Sequence, residues 1–124
     1  VGPVFVGEDE PGSVWGSMNL NGQQLPEYQN GAWTIPAEDR QVAVIHTLTI
    51  DPARAGQGLA RQMVAFAEDT ARRQGKTVLR LDTGTENLPA NRMYPALGYK
   101  AAGTVDTFFM GDSQRPLNLY EKKL

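Results

Sequence analysis

The sequence predicts an α+β domain (mixed α/β): one sheet of about six strands with helices on its faces. Three observations carry that class. A long apolar run, Val42–Ile50, leads through a glycine turn into an amphipathic segment, Leu59–Gln74. A second apolar run, Thr77–Asp82, follows, and strand–helix–strand in that order implies a right-handed crossover and a parallel pair. On either side lie strand pairs with short polar connections, the pattern of antiparallel hairpins. The 124 residues suffice for a single domain, 1–124, with one core.

The elements follow in order. Val4–Val6 and Val14–Leu20 read as two strands joined at Glu8-Asp9-Glu10-Pro11-Gly12, where Pro-Gly signals a turn and the acids suit an exposed tip. Asn21-Gly22 ends the second strand. Gln23–Arg40 is polar and irregular, with Pro26, Gly31 and Pro36. Gln41–Ile50 is a third strand, apolar enough to be buried on both faces. Gly58–Gln74 is a helix with Leu59, Met63, Phe66, Ala67 and Ala71 at helical spacing. Its outer face carries the pairs Glu68/Arg72 and Asp69/Arg73, worth roughly 0.2–0.5 kcal/mol each. Gly75 stops this helix as its C-cap. Leu88–Leu97 is a second, short helix with Pro89 at its start and Gly98 past its end. Tyr99–Phe109 and Leu117–Lys122 form the last hairpin across a polar loop, Gly111–Pro116. The chain begins Val-Gly-Pro-Val without Met, which suggests a fragment or a processed form.

Composition removes several function classes. A net charge of -2 speaks against a nucleic-acid binder, whose mark is a basic patch. With no cysteine there is no disulfide, thiolate metal site or cysteine nucleophile, in keeping with a reducing, cytoplasmic setting. No apolar run reaches membrane-spanning length, and the first residues lack a signal-peptide layout. The single histidine, His46, has no ligand cluster around it, so no metal is expected.

Asp51–Ala60, DPARAGQGLA, carries the chemistry. Strand, glycine turn and helix start make an anion site, because glycine lets backbone approach a ligand and the first helical turn has free N–H groups. The turn lacks Gly-Lys-Ser/Thr and is not GxGxxG, which removes the common nucleotide loops. Taken alone, Gly56 and Gly58 could equally make a plain strand-to-helix turn.

A second motif argues against a plain turn. Asn87, Ala90, Tyr94, Gly98 and Tyr99 fit Asn-x-x-Ala-x-x-x-Tyr-x-x-x-Gly-aromatic, and Ala55-Gly56-Gln57-Gly58-Leu59-Ala60 fits Gln/Arg-x-x-Gly-x-Gly/Ala. With both motifs at this separation, the chain resembles the GCN5-related N-acetyltransferases from about Val4 onward. Ala55 departs from the family's Gln or Arg, and Arg54 or Arg61 could supply the charge. The family's first strand and two helices, which wall the acceptor site, have no counterpart in this sequence.

The resemblance implies a splayed central strand pair and acetyl-CoA as cosubstrate. Leu48 and Ile50 match the backbone positions that pair with the pantetheine arm, and the Leu48 N–H matches the donor to the acetyl carbonyl, which stabilises the oxyanion. N–H groups from Gly56, Gln57, Gly58, Leu59, Ala60 and Arg61 match the pyrophosphate cradle. Asn87 matches a cofactor contact, and Tyr94 matches the general acid for the leaving thiolate. His46 precedes Leu48 by two residues, so alternation puts both side chains on one face, where a histidine suits the role of base. Glu38, Asp51, Asp82 and Glu86 are the other candidate bases, each also readable as a solvated or capping carboxylate. Trp15, Tyr28 and Trp33 are candidates for an acceptor pocket or for the core. The implied activity is acetyl transfer to a primary amine of a small molecule or peptide. The alternative is a module that binds acetyl-CoA without turnover. Homodimers are common among such enzymes.

Overall fold

The computed structural model describes residues 4–109 and 113–124. Residues 1–3 and the start of the expected loop Gly111–Pro116 lie outside them. Six strands and two helices follow one another: β1 (Val4–Glu8), β2 (Val14–Asn21), β3 (Val42–Ile50), α1 (Leu59–Arg73), β4 (Val78–Gly84), α2 (Leu88–Ala96), β5 (Lys100–Phe109) and β6 (Ser113–Lys123). They build one open sheet in the order β1-β2-β3-β4-β6-β5. Among the described residues only β3 and β4 run parallel.

Both faces of the sheet are covered. On the near face, Met18, Leu20, Ala43, Ile45, Leu79 and Leu81 pack under Met63, Val64, Ala67 and Ala71 of α1 and Tyr94 of α2. On the far face, Val42, Val44, Ala102, Val105 and Leu119 pack under Tyr28, with Leu25, Trp33 and Ala37 beside them. The irregular stretch Gln23–Arg40 is therefore a layer of the core. It carries two short 3₁₀ turns, Pro26–Asn30 and Asp39–Gln41. Its backbone is held by a fully buried carboxylate: Glu121 accepts from Thr34 N–H at 2.8 Å, Thr34 Oγ1 at 3.0 Å and Ile35 N–H at 3.0 Å. Three donors are what a carboxylate needs to lie buried in this way.

Several expectations are corrected. Glu68 is buried, not on the outer face of α1. Val64, Ala67, Glu68 and Ala71 stand at i, i+3, i+4 and i+7, so Glu68 falls inside the apolar stripe. It accepts from Tyr99 Oη at 2.9 Å, pairs with Lys122 at 3.1 Å, and keeps the expected pair with Arg72 at 3.8 Å. Phe66 sits at the stripe's edge, half exposed, against Phe5 of β1 at 5.2 Å between ring centres. The last strand starts earlier than expected: β6 begins at Ser113, and Pro116 pairs with Asp106. Pairing of β6 with β4 stops at Leu117, so Pro116 has one neighbouring strand, a position that tolerates proline. Among the described residues no helix is long and apolar enough to cross a membrane.

Candidate active site

The site begins with an irregularity in β3. Ser17 pairs with Thr49 and Asn19 with His46, so Thr47 and Leu48 together oppose Met18 alone. This is a β-bulge. Thr47 sits at φ 54°, a left-handed conformation that costs a side-chain-bearing residue about 1–2 kcal/mol. The extra residue reverses the alternation. Ala43 and Ile45 face the near core before the bulge, and Leu48 and Ile50 face it after. His46 therefore points to the far face, with Val44 and Asn21, and does not share a face with Leu48 as simple alternation predicts.

Just before the bulge the parallel pair parts. Ile45↔Leu81 is the last β3–β4 partner pair, whereas β4 continues along β6 to Gly84. This is why β3 is buried on both faces only from Val42 to Ile45. The Asp51 N–H donates to the Trp15 carbonyl at 2.7 Å, across to β2. Backbone groups alternate along a strand, so the N–H groups of Ile50 and Leu48 point the opposite way, into the gap. The gap widens into a cleft of about 1460 Å³ lined from both faces of the sheet: Leu48, Ile50, Leu59 and Tyr94 on the near side, His46, Asp82 and Glu27 on the far side. Its size exceeds the roughly 300–1,000 Å³ of an ordinary small-ligand pocket and suits an elongated ligand.

At the near-side mouth stands the N-terminus of α1. Gly56 and Gly58 have φ of 82° and 75°, and a Cβ at either would meet nothing within 4 Å. Backbone conformation, not crowding, demands glycine here, and open space lies in front of it. Gly58 caps α1 without a side-chain bond, so the N–H groups of the first turn are left to a ligand. Gly56, Gly58, Leu59, Ala60 and Arg61 line the cleft, and Gln57 does not. Arg54 is committed to an ion pair with Asp9, whereas Arg61 and Arg92 line the cleft with no partner among the described residues. Arg61 is thus the better placed to replace the charge missing at Ala55. The donors and cations present fit a phosphate-bearing ligand.

Tyr94 lies on the cleft wall in a cluster of three tyrosines, with its ring 5.6 Å from those of Tyr99 and Tyr120. The Tyr99 hydroxyl donates to Glu68, and that of Tyr120 donates to Asn91 Oδ1 at 2.6 Å. Only the Tyr94 hydroxyl has no bond to the described residues. Burial, and then the Asp82 charge, push it up from 10.0 to about 12, so it keeps its proton at neutral pH. Asn87 also lines the cleft. Its Oδ1 caps α2 at the Ala90 N–H, 3.3 Å away, which leaves the amide nitrogen for a ligand. Asn91 donates to the carbonyls of Gly84 and Asn87 and accepts from Asn118 and Tyr120, so it ties α2 to β4 and β6. Nothing in the sequence pattern singles it out.

On the far side, Asn21 Oδ1 accepts both the Gln23 N–H at 2.8 Å and His46 Nε2 at 2.9 Å. The backbone donor identifies that atom as oxygen, so Nε2 carries hydrogen and Nδ1 keeps the lone pair of neutral His46. Asp82 is a wall of the cleft rather than a solvated carboxylate. Its Oδ2 accepts from Tyr28 Oη at 2.6 Å. Burial holds its pKa above the ordinary value, although the Tyr28 bond opposes the rise. An acid at the carboxyl end of a parallel strand was the available clue, since ligands gather there in open sheets. Glu38, Asp51 and Glu86 keep the expected character, with Asp51 capping the turn after β3. Trp15, Tyr28 and Trp33 are packing residues, and none lines the cleft.

This architecture defines the class. Residues 4–99 match the Acetyltransferase (GNAT) family, and the chain belongs to it. An uncharacterised N-acetyltransferase of Methanocaldococcus jannaschii is 32% identical over 68 residues, 55% of this chain and 30% of that protein. Among solved structures, yncA of Salmonella typhimurium, determined with its cofactor acetyl-CoA, superposes with a TM-score of 0.72 at 24% identity. That match covers 98% of this chain and 64% of yncA. A GCN5-related N-acetyltransferase of Kribbella flavida gives 0.73 at 22% identity, over 98% of this chain and 67% of the other. These likenesses establish the shared fold, and the chain spans only part of each relative's length.

Proposed function

We propose that this chain is a cytoplasmic acetyltransferase domain that moves acetyl from acetyl-CoA to a primary amine of a small molecule or peptide. One observation carries the reading: a cleft that passes through the sheet, with an anion-binding helix end on one face and a histidine on the other. Two reactants can then approach from opposite faces and meet at the bulge, with no covalent enzyme intermediate.

Each residue has a part in this reading. N–H groups from Gly56 through Arg61 take the pyrophosphate, with Gln57 contributing backbone only. Leu48 and Ile50 offer N–H groups to the pantetheine arm, and the Leu48 N–H takes the acetyl oxygen as charge develops there. Asn87 adds its free amide nitrogen. His46 Nδ1 accepts a proton from the incoming ammonium, directly or through water. The nitrogen forms the N–C bond, and the C–S bond breaks with its electron pair on sulfur. Tyr94 donates to that sulfur. At about 12 it is a reluctant acid, suited to hydrogen-bonding the sulfur throughout and yielding its proton only as the bond breaks. Of the ammonium's three protons, one stays on the amide, one leaves through His46, and one restores Tyr94.

A thiol-release assay with acetyl-CoA and a panel of primary amines tests this. Release should depend on the amine and give intersecting double-reciprocal lines for the two substrates. Release independent of every amine, or a stable acetylated protein, contradicts it. Tight acetyl-CoA binding with no turnover would assign the binding-module alternative instead.

A further inference from the structure

A second hollow opens beside the first. It measures about 460 Å³ and is lined by Asn19, Asn21, Gln23, Gln24, Leu25, Pro26 and His46. Leu25, Pro26 and His46 also line the main cleft, so the two spaces share a wall at the proposed base. Four amides, and no lysine, arginine, aspartate or glutamate, line the hollow. The side chains of Asn19 and Gln23 have no bond to the described residues, so their donors and acceptors are open to a ligand. Where the hollow meets the cleft the chemistry changes. Asp82 and Glu27 line the far side of the cleft there. Tyr28 occupies Asp82 Oδ2, which leaves Oδ1 with no partner among the described residues.

Each part selects against a class of acceptor. An acidic amine would leave its carboxylate unpaired in a hollow that no cation lines, the nearby Arg80 being bonded to Gln24 Oε1. A polyamine would leave its second ammonium among neutral amides. A buried charge without a partner is costly, whereas primary amides both give and accept hydrogen bonds. We propose that the acceptor is an amine bearing hydroxyl or amide groups and no acidic group, its ammonium held by Asp82 and Glu27 beside His46 and its polar substituent seated among Asn19, Asn21 and Gln23. Amino sugars and peptide N-termini share that chemistry. This inference rests on the acetyltransferase reading above.

The test compares kcat/KM for glucosamine, a Ser-Ala dipeptide amide, putrescine and glutamate, with acetyl-CoA affinity measured in parallel. Glucosamine or the dipeptide amide should exceed putrescine and glutamate by about tenfold or more, the worth of one or two well-made hydrogen bonds. Which of the two leads assigns hydroxyl or amide recognition. Asn19→Leu and Gln23→Leu should each raise KM for the preferred acceptor about tenfold with kcat little changed. Asp82→Asn keeps an acceptor for Tyr28, and it should raise that KM while leaving acetyl-CoA affinity as it was. Thermal melts of the three variants confirm that they are folded. Preference for putrescine or glutamate, or unchanged KM in both leucine variants, overturns the proposal alone. Acetyl-CoA binding with no turnover of any amine overturns the acetyltransferase reading, and the proposal with it. Failure to bind acetyl-CoA overturns the underlying reading, and the proposal with it.

Discussion

Tyr94→Phe separates catalysis from folding. The ring packs against Tyr99 and Tyr120 and is only 4% exposed, and phenylalanine keeps those contacts. The lost hydroxyl bonds nothing among the described residues. Stability should therefore stay within about 0.5 kcal/mol. The acid is lost entirely, and general acids contribute about 10²–10⁴-fold, or ~3–5 kcal/mol of barrier. The raised pKa sharpens the test. At pH 8 a hydroxyl at about 12 is ionised in only about one molecule in 10⁴. The parent enzyme should then show no alkaline loss from Tyr94 below about pH 11. The assay is kcat by thiol release across pH 6–10 with the best acceptor, beside thermal melts of both proteins. Tyr99→Phe is the converse control: it removes a buried bond to Glu68, so it should lower Tm and spare kcat. A Tyr94→Phe protein with kcat within about threefold of the parent at every pH would refute the general-acid assignment.

Other outcomes follow from the same geometry. Glu68→Ala leaves the Tyr99 hydroxyl without its acceptor and Lys122 with only the Leu97 carbonyl, and should cost about 3 kcal/mol in chemical denaturation, with acetyl-CoA binding kept in the folded fraction. Gly56→Ala meets no steric neighbour, so its stability loss should be that of a left-handed residue, about 1–2 kcal/mol, while calorimetry should show acetyl-CoA affinity falling more than tenfold, because the methyl fills the approach to the loop. Asp82→Asn should stabilise the protein at pH 7. The folded state binds the Asp82 proton more tightly than the unfolded chain does, so its ionised form subtracts from stability at neutral pH. That deficit disappears as pH falls below 3.8, and melts of the two proteins should converge there. A deficit that grows on acidification would contradict the raised pKa.

The strands, both helices and the two linked motifs were legible because each rests on local pattern: alternation, helical spacing, and glycine at the turn and the helix ends. What escaped the sequence is the set of features that depend on partners far along the chain. Thr47 carries no sign that it takes a left-handed conformation, and without that knowledge period-two alternation puts His46 on the wrong face. Glu68 looks like half of a surface pair until Tyr99 and Lys122 arrive from elsewhere. Gln23–Arg40 is polar in composition, yet Glu121, some 86 residues away, satisfies its backbone and turns it into a layer of the core. Asp82 became a site residue through Tyr28, which comes from that same stretch.

The most direct test of the central claim is calorimetric titration of the protein with acetyl-CoA, using NAD and ATP as comparison ligands. Selective micromolar binding, about -8 kcal/mol, is the predicted result, weakened by Gly56→Ala. No heat with acetyl-CoA, or equal affinity for all three ligands, would mean that the glycine turn and the α1 terminus do not form a coenzyme A site.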